Sequence, residues 1–299
     1  MKVSIECASC IIERGYREIV RSTQDITTQF RAMEELLQLM STRFKPGMIP
    51  ARIGTERDRL IHRITGVDDP YAENKHRSNV LALKLSPKVE EIILSLKPGY
   101  ERFRRACIAS IVGNLIEFDV PGHVFTPEKL IDLIQSATLA VDRTWEIYKL
   151  LRKSESVLFL TDNAGEIAFD TILVKEIRRL GPKVTVAVKS SPILDDALLS
   201  DAYEVGMDKV ADKIVTTGSN SVGLFLEEVS AEFRECWQNS DLILAKGMGY
   251  YETLTEINLG KPTGNLLTAK CNPVAQSVGV KKESHLALLL HNSSKRLYP

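Results

Sequence analysis

The spacing of apolar positions changes part-way along the chain. Over residues 10–44 they recur every three or four, as in Ile11, Ile12, Ile19, Val20 and then Met33, Leu36, Leu37, Met40. That spacing puts them on one face of a helix. Gln24-Asp25-Ile26-Thr27 divides the stretch into two helices, and Lys45-Pro46-Gly47 stops the second. Asp68-Asp69-Pro70-Tyr71 sets an acidic cap before proline, so a long helix is expected over about 72–96, interrupted near Pro87 and ended by Pro98-Gly99. Another is expected over about 101–118, closed by Pro121-Gly122. Pro127 opens a further one, and the last runs to about Lys153. No strand is expected before Val157.

From there the period shortens. Val157-Leu158-Phe159-Leu160 is a continuous apolar run, as in a strand buried on both faces. Strands are also expected at Val184–Val188, Lys213–Thr216, Asp241–Ala245 and His285–Leu290. An amphipathic helix over 167–180 and another over 222–237 separate them. Strand and helix in alternation with short links predict a parallel sheet covered on both sides. The expected fold is α/β: an all-helical domain over 1–153, then a Rossmann-like parallel-sheet domain over 154–299.

The 299 residues are 44% apolar, ample for a core. Lys+Arg and Asp+Glu are 39 each, so the net charge is zero and gives no footprint for nucleic acid or membrane. Arg102, Arg104 and Arg105 read as a solvated helix face. There is no run long enough to cross a bilayer and no apolar leader core after Met1, so a cytoplasmic location is expected. Five cysteines, an odd number in a long chain, read as thiols. Cys7-Ala8-Ser9-Cys10 has no second pair to complete a zinc site and no strand before it, so ordinary buried thiols are expected there.

In open α/β sheets, ligands bind at the carboxyl ends of the strands. The first strand ends in Thr161-Asp162-Asn163-Ala164-Gly165-Glu166. Asp162 and Asn163 offer hard oxygen ligands for a divalent cation, and the small residues allow backbone approach at a helix start. A simple helix cap is the other reading. No G-x-G-x-x-G follows, which weighs against a nicotinamide enzyme. The second strand ends in a loop bearing Asp195 and Asp196, which complete a metal site with Asp162 or cap a helix. Thr217-Gly218-Ser219-Asn220-Ser221 wraps a phosphate or is a turn. The fourth strand ends in Lys246-Gly247-Met248-Gly249, where Lys246 would neutralise a phosphoryl group and the glycines close on it, or the lysine snorkels. Lys270 is a second lysine of this kind. Asn114, beside the apolar stripe of its helix, bonds another helix or reaches the cleft between domains.

Taken together these loops resemble the damage-control phosphatases, long known as domain-of-unknown-function family 89. Cys7-x-x-Cys10 is similar to the start of the prokaryotic-type branch, and Thr65-Gly66-Val67-Asp68-Asp69-Pro70-Tyr71 to an early motif. Gly113-Asn114-Leu115-Ile116-Glu117-Phe118 resembles Gly-Asn-x-Ile-Asp-Phe. Asp162-Asn163-Ala164-Gly165-Glu166, Lys246-Gly247-Met248 and Lys270-Cys271 resemble the later motifs. Order and spacing carry the likeness across most of the chain. It departs at Asp195-Asp196, where Asn-Asp is expected, at Tyr250 in place of Asn, and at Glu117 in place of Asp.

The resemblance implies metal-dependent hydrolysis of phosphate monoesters of small metabolites, such as sugar phosphates or damaged phosphometabolites. It implies Asp162, Asn163 and Asp196 as ligands to manganese, nickel, cobalt or magnesium, with Asp162 catalytic, as ligand or nucleophile. Asn114, Glu166, Lys246, Gly247 and Lys270 would hold the substrate and its phosphate. The expected partner is a small phosphorylated metabolite, with no nucleic acid and no membrane; a homo-oligomer is compatible with this. Two other readings stand beside it: a carboxyl methyltransferase, which lacks its glycine-rich cofactor loop, and a non-catalytic metabolite-binding module.

Overall fold

The computed structural model describes residues 1–115 and 126–290. Ile116, Glu117 and Phe118 of the Gly-Asn motif, and the stop expected at Pro121-Gly122, lie outside them.

The chain opens with α1 (Glu6–Ser22), α2 (Ile26–Arg43) and α3 (Pro50–Thr65). Asp25 caps α2, accepting from the Thr28 amide at 2.9 Å. Gly66, at φ 71°, closes α3. The sequence pattern did not predict α3, because Arg57 and Asp58 interrupt its apolar stripe and yet are buried. The three helices share a core around Ile11, Ile19, Leu36, Ile53 and Ile61. A Cβ on Gly15 would stand 2.5 Å from Leu36 Cδ2, so glycine lets α1 lie close to α2.

Next come α4 (Ala72–Leu94), α5 (Tyr100–Val112) with a 3₁₀ turn at Gly113–Leu115, α6 (Pro127–Ser136) and α7 (Thr144–Leu151). The interruption expected at Pro87 is absent, and α4 runs through it. The carbonyl that Pro87 leaves without an amide belongs to Leu83, on the exposed side of the helix. The arginine cluster is engaged rather than solvated. Arg104 pairs with Asp142 at 2.7 Å, Arg105 donates to Ile134 O at 2.7 Å, and Arg102 donates to Leu96 O at 2.6 Å.

The sheet elements are β1 (Val141–Asp142), β2 (Ser156–Leu160), β3 (Lys183–Val188), β4 (Lys213–Thr216), β5 (Leu242–Lys246), β6 (Thr263–Thr268) and β7 (His285–Leu290). Between them lie α8 (Glu166–Arg179), α9 (Leu199–Glu204), α10 (Ala231–Asn239), α11 (Gly247–Leu254) and α12 (Asn272–Val278). The strand order is β1-β7-β6-β5-β2-β3-β4. All neighbours are parallel except β6 and β7. The fold is thus α/β with a helical N-terminal part, and its sheet is mostly rather than wholly parallel.

Two strands were not expected. β1, at two residues, is too short to show a pattern. β6 reads Thr-Gly-Asn-Leu-Leu-Thr, which looks like a turn. Its Gly264 admits neighbours that a Cβ would meet at 2.7 Å, and buried Asn265 donates to Ala245 O at 3.1 Å. The helix expected over 222–237 starts only at Ala231, capped by Ser230. Before it, Thr55 and Thr253 hydroxyls take the Val222 and Leu224 amides, so the backbone is satisfied without a helix.

Side chains alternate across β2. Val157 and Phe159 face the core shared with α4, α5 and α8, while Leu158 and Leu160 face the one shared with α10 and α11. The first core joins residues on both sides of Ser154, among them Phe103, Ile108 and Ile147 with Phe159 and Phe169. For that reason α8 is not amphipathic: eleven of its fourteen residues are buried, between the sheet and the N-terminal helices.

Candidate active site

Chain order reverses at β2, with β3 on one side and β5 on the other. The connections leaving β2 and β5 therefore part at their carboxyl ends, where a crevice forms. A cavity of about 150 Å³ lies there.

Asp162 and Asn163 follow β2, and Asp195 and Asp196 follow β3. Backbone bonds stitch the two loops: Ala197 N to Asp162 O at 2.8 Å, and Ala164 N to Asp195 O at 2.9 Å. Asn163 and Asp196 pair as an antiparallel bridge. Leu194, on the cavity wall, holds φ 46°, one of two positive values among described non-glycine residues. From β5, Gly247 at φ 79° closes against Asp162; a Cβ there would stand 1.9 Å from Asp162 Oδ2. The glycine of the Lys-Gly motif is thus required by both conformation and space.

The cavity wall carries Asn114, Asp162, Asn163, Glu166 and Asp196, together with Gly247 and Lys270. Lys246, expected at the phosphate, is not on that wall. It is wholly buried behind Glu166, donating to Glu166 Oε1, to Asp170 Oδ1 at 2.9 Å and to Ser110 O at 3.0 Å. Burial pulls the Lys246 ammonium down, and Asp170 and Glu166 more than reverse this, so its pKa ends raised. The other oxygen of Glu166 accepts from Asn114 Nδ2. Asn114 thus satisfies both of its sequence readings, bonding another helix (α8) and lying on the cavity wall. Its Oδ1 is buried with no hydrogen-bond partner among the described residues.

The acids crowd one another. Burial, then Glu166 and Asp196, push the Asp162 carboxyl well above the usual range, while Lys246 and Lys270 pull it back. Burial raises Asp196 to about 6 against the pull of Lys189. Lys189 is buried, 3.5 Å from Asp196 Oδ2, donates to Gly223 O at 2.6 Å and lies 4.5 Å from the Tyr250 ring centroid. Hard oxygens that repel one another in a half-buried cavity suit a divalent cation, which would relieve the repulsion. The residues fit such an ion as two carboxylates and one amide. Among the described residues, no group of three or more His, Cys, Asp or Glu is placed to hold a metal.

Sequence reasoning missed Asp170, Ser110 and Lys189 behind the site, and Arg14, Arg17 and Tyr71 on its wall. A charged residue inside a helix reads as solvated until its neighbours are known. The Thr217–Ser221 loop, not on the cavity wall, is a turn: Ser219 Oγ donates to Glu228 at 2.9 Å, and Arg59 donates to Asn220 Oδ1 at 2.9 Å.

Residues 3–286 match the family model described as the damage-control phosphatase ARMT1-like domain. The chain belongs to this family. A damage-control phosphatase of Archaeoglobus fulgidus is 39% identical over 283 residues, covering 94% of this chain and 96% of that protein. One of Pyrococcus horikoshii is 35% identical over 286 residues, covering 94% and 96%. A crystal structure of a family 89 protein from P. horikoshii superposes with a TM-score of 0.86 at 34% identity, covering 96% of this chain and 99% of that one. In this damage-control phosphatase family member all five cysteines are free thiols; Cys7 is buried as expected, but Cys10 is exposed, against the expectation of a buried pair. No described helix is long and apolar enough to cross a membrane.

Proposed function

We propose that the chain is a metal-dependent phosphatase of small metabolites, cleaving phosphate monoesters such as those of sugars or damaged phosphometabolites. The observation that carries this is the meeting of Asp162 and Asp196 from two stitched loops in one cavity at the sheet's switch point. Membership of the family and the names of the relatives support it. On this reading the chain would belong to the prokaryotic-type branch, which the Cys7-x-x-Cys10 pair supports.

Asp162, Asn163 and Asp196 would hold manganese, nickel, cobalt or magnesium. When bound, such an ion offsets carboxylate charge and polarises the phosphoryl oxygens. The chain's own residues do the rest. Lys270, on the wall, offers a positive charge to the phosphate oxygens. Lys246 acts from behind, fixing Glu166, which in turn fixes the Asn114 amide beside Asp162. Gly247 keeps Asp162 in place by contact with its backbone.

The test is release of phosphate from a panel of sugar phosphates and other esters with each cation in turn. Asp162→Ala is expected to lower metal-stimulated turnover by about a hundred-fold or more, since losing even an outer partner of a metal ligand costs ten- to a hundred-fold. Undiminished turnover by a folded variant would refute the assignment.

A further inference from the structure

The phosphate end of the cavity does not account for its whole wall. Arg14 and Arg17 also line it, and both come from α1, far from the sheet loops in sequence. Three residues apart, they share one face of the helix. The cavity, of about 150 Å³, runs from the Asp162 and Asp196 loops to this face of α1.

α1 is held on several sides. Gly15, between the two arginines in the chain, is packed on Leu36 and Arg57. Before the helix, Val3 N donates to Met48 O at 2.8 Å. At its first residue, Glu6 Oε2 accepts from Asn272 Nδ2 at 3.0 Å, and Asn272 lies two residues beyond Lys270. The arginine-bearing helix and the Lys270 loop are thus tied together. Arg17 also donates to Glu13 at 2.9 Å, and Arg14 adds its charge beside buried Arg57 and partly buried Glu252. Guanidinium groups on a held helix suit a planar or tetrahedral oxyanion, which they meet with charge-assisted hydrogen bonds.

We infer that Arg14 and Arg17 form a receiving site for a second oxyanion, a carboxylate or phosphate borne by the substrate away from the ester that is cleaved. This rests on the phosphatase reading of the site. The enzyme then selects doubly anionic phosphometabolites over neutral-tailed ones, with the phosphate set by the Asp162 end and the far anion by α1.

Calorimetric titration reads this without turnover. Wild type, Arg14→Gln, Arg17→Gln, the double variant and the Arg14→Lys/Arg17→Lys control are titrated with glucose 6-phosphate, 6-phosphogluconate and glucose 1,6-bisphosphate, each in metal-free buffer so that no ester is cleaved during the titration. Wild type is expected to bind at least one of the two doubly anionic ligands about ten-fold or more tightly than glucose 6-phosphate, the scale of one charge-assisted hydrogen bond. Which ligand gains distinguishes a carboxylate from a phosphate. The double glutamine variant is expected to lose the preference and the lysine control to keep part of it. Equal binding of all three by wild type, or a preference that survives the double glutamine variant, overturns the inference. Phosphate release by wild type is measured separately; its absence with every cation and ester counts against the phosphatase reading instead.

Discussion

Lys246 is the residue whose surroundings say most about how the site is built. Its ammonium is enclosed with Glu166, Asp170 and the Ser110 carbonyl, and no part of it is exposed. Lys246→Met would leave two buried carboxylates without their cation. Loss of one partner from a buried pair costs about 3–5 kcal/mol, so urea unfolding should show a drop of that order, with part of it recovered on adding Asp170→Asn. A variant as stable as wild type would mean that the acids are neutral in the folded protein and the lysine is no counterion. At this scale the sequence was legible where a polar residue follows a strand. Asp162, Asn163 and Asp196 could be picked out because strand ends are where crevices form, while Lys270, beyond the unexpected β6, was marked only by its likeness to Lys246 and by the family motif. Asp170, Arg14 and Arg17 could not, because a charge within a helix reads the same whether it faces water or a cavity; Lys189 follows β3 but was passed over for the acids farther along its loop.

Among the elements, the approach of α5 to α8 fixes Asn114 beside Glu166. Gly113 makes it close: a Cβ there would stand 2.5 Å from Phe169 Cδ2. Gly113→Ala should therefore cost about 1–3 kcal/mol by overpacking and lower turnover through displacement of Asn114. Denaturation midpoints and phosphate release on one sample check both; an unchanged turnover at reduced stability would separate Asn114 from the chemistry. The buried strands were legible from their apolar runs, which few other elements produce. β6 was not, since Gly264 and Asn265 serve close packing and a buried hydrogen bond, both invisible in a propensity. α3 was hidden by its buried Arg57 and Asp58. α8 was read as half exposed because nothing in its own residues says that other helices cover its second face.

Across the whole molecule, the contact between the N-terminal helices and the sheet part sets a pH dependence. Burial pushes the Glu252 carboxyl up to about 7 from 4.5, against the nearby Met1 ammonium and Arg14. An acid whose folded pKa is raised weakens the fold once it ionises. Its cost is therefore absent below about pH 4.5, grows as pH rises, and is complete above about 7. The stability of wild type relative to Glu252→Gln should fall across that window, as read from urea midpoints at several pH values. Parallel profiles for the two proteins would show that Glu252 does not feel its burial.

The two acidic loops cannot be treated as separate parts. Because Asn163 and Asp196 share a backbone bridge and their neighbours exchange amides and carbonyls, the segment after β3 carries the shape of the segment after β2. A transplanted segment of different length or backbone path, moved alone, would put these amides and carbonyls out of register across the seam. Grafts between relatives in this region should therefore move both segments as one cassette.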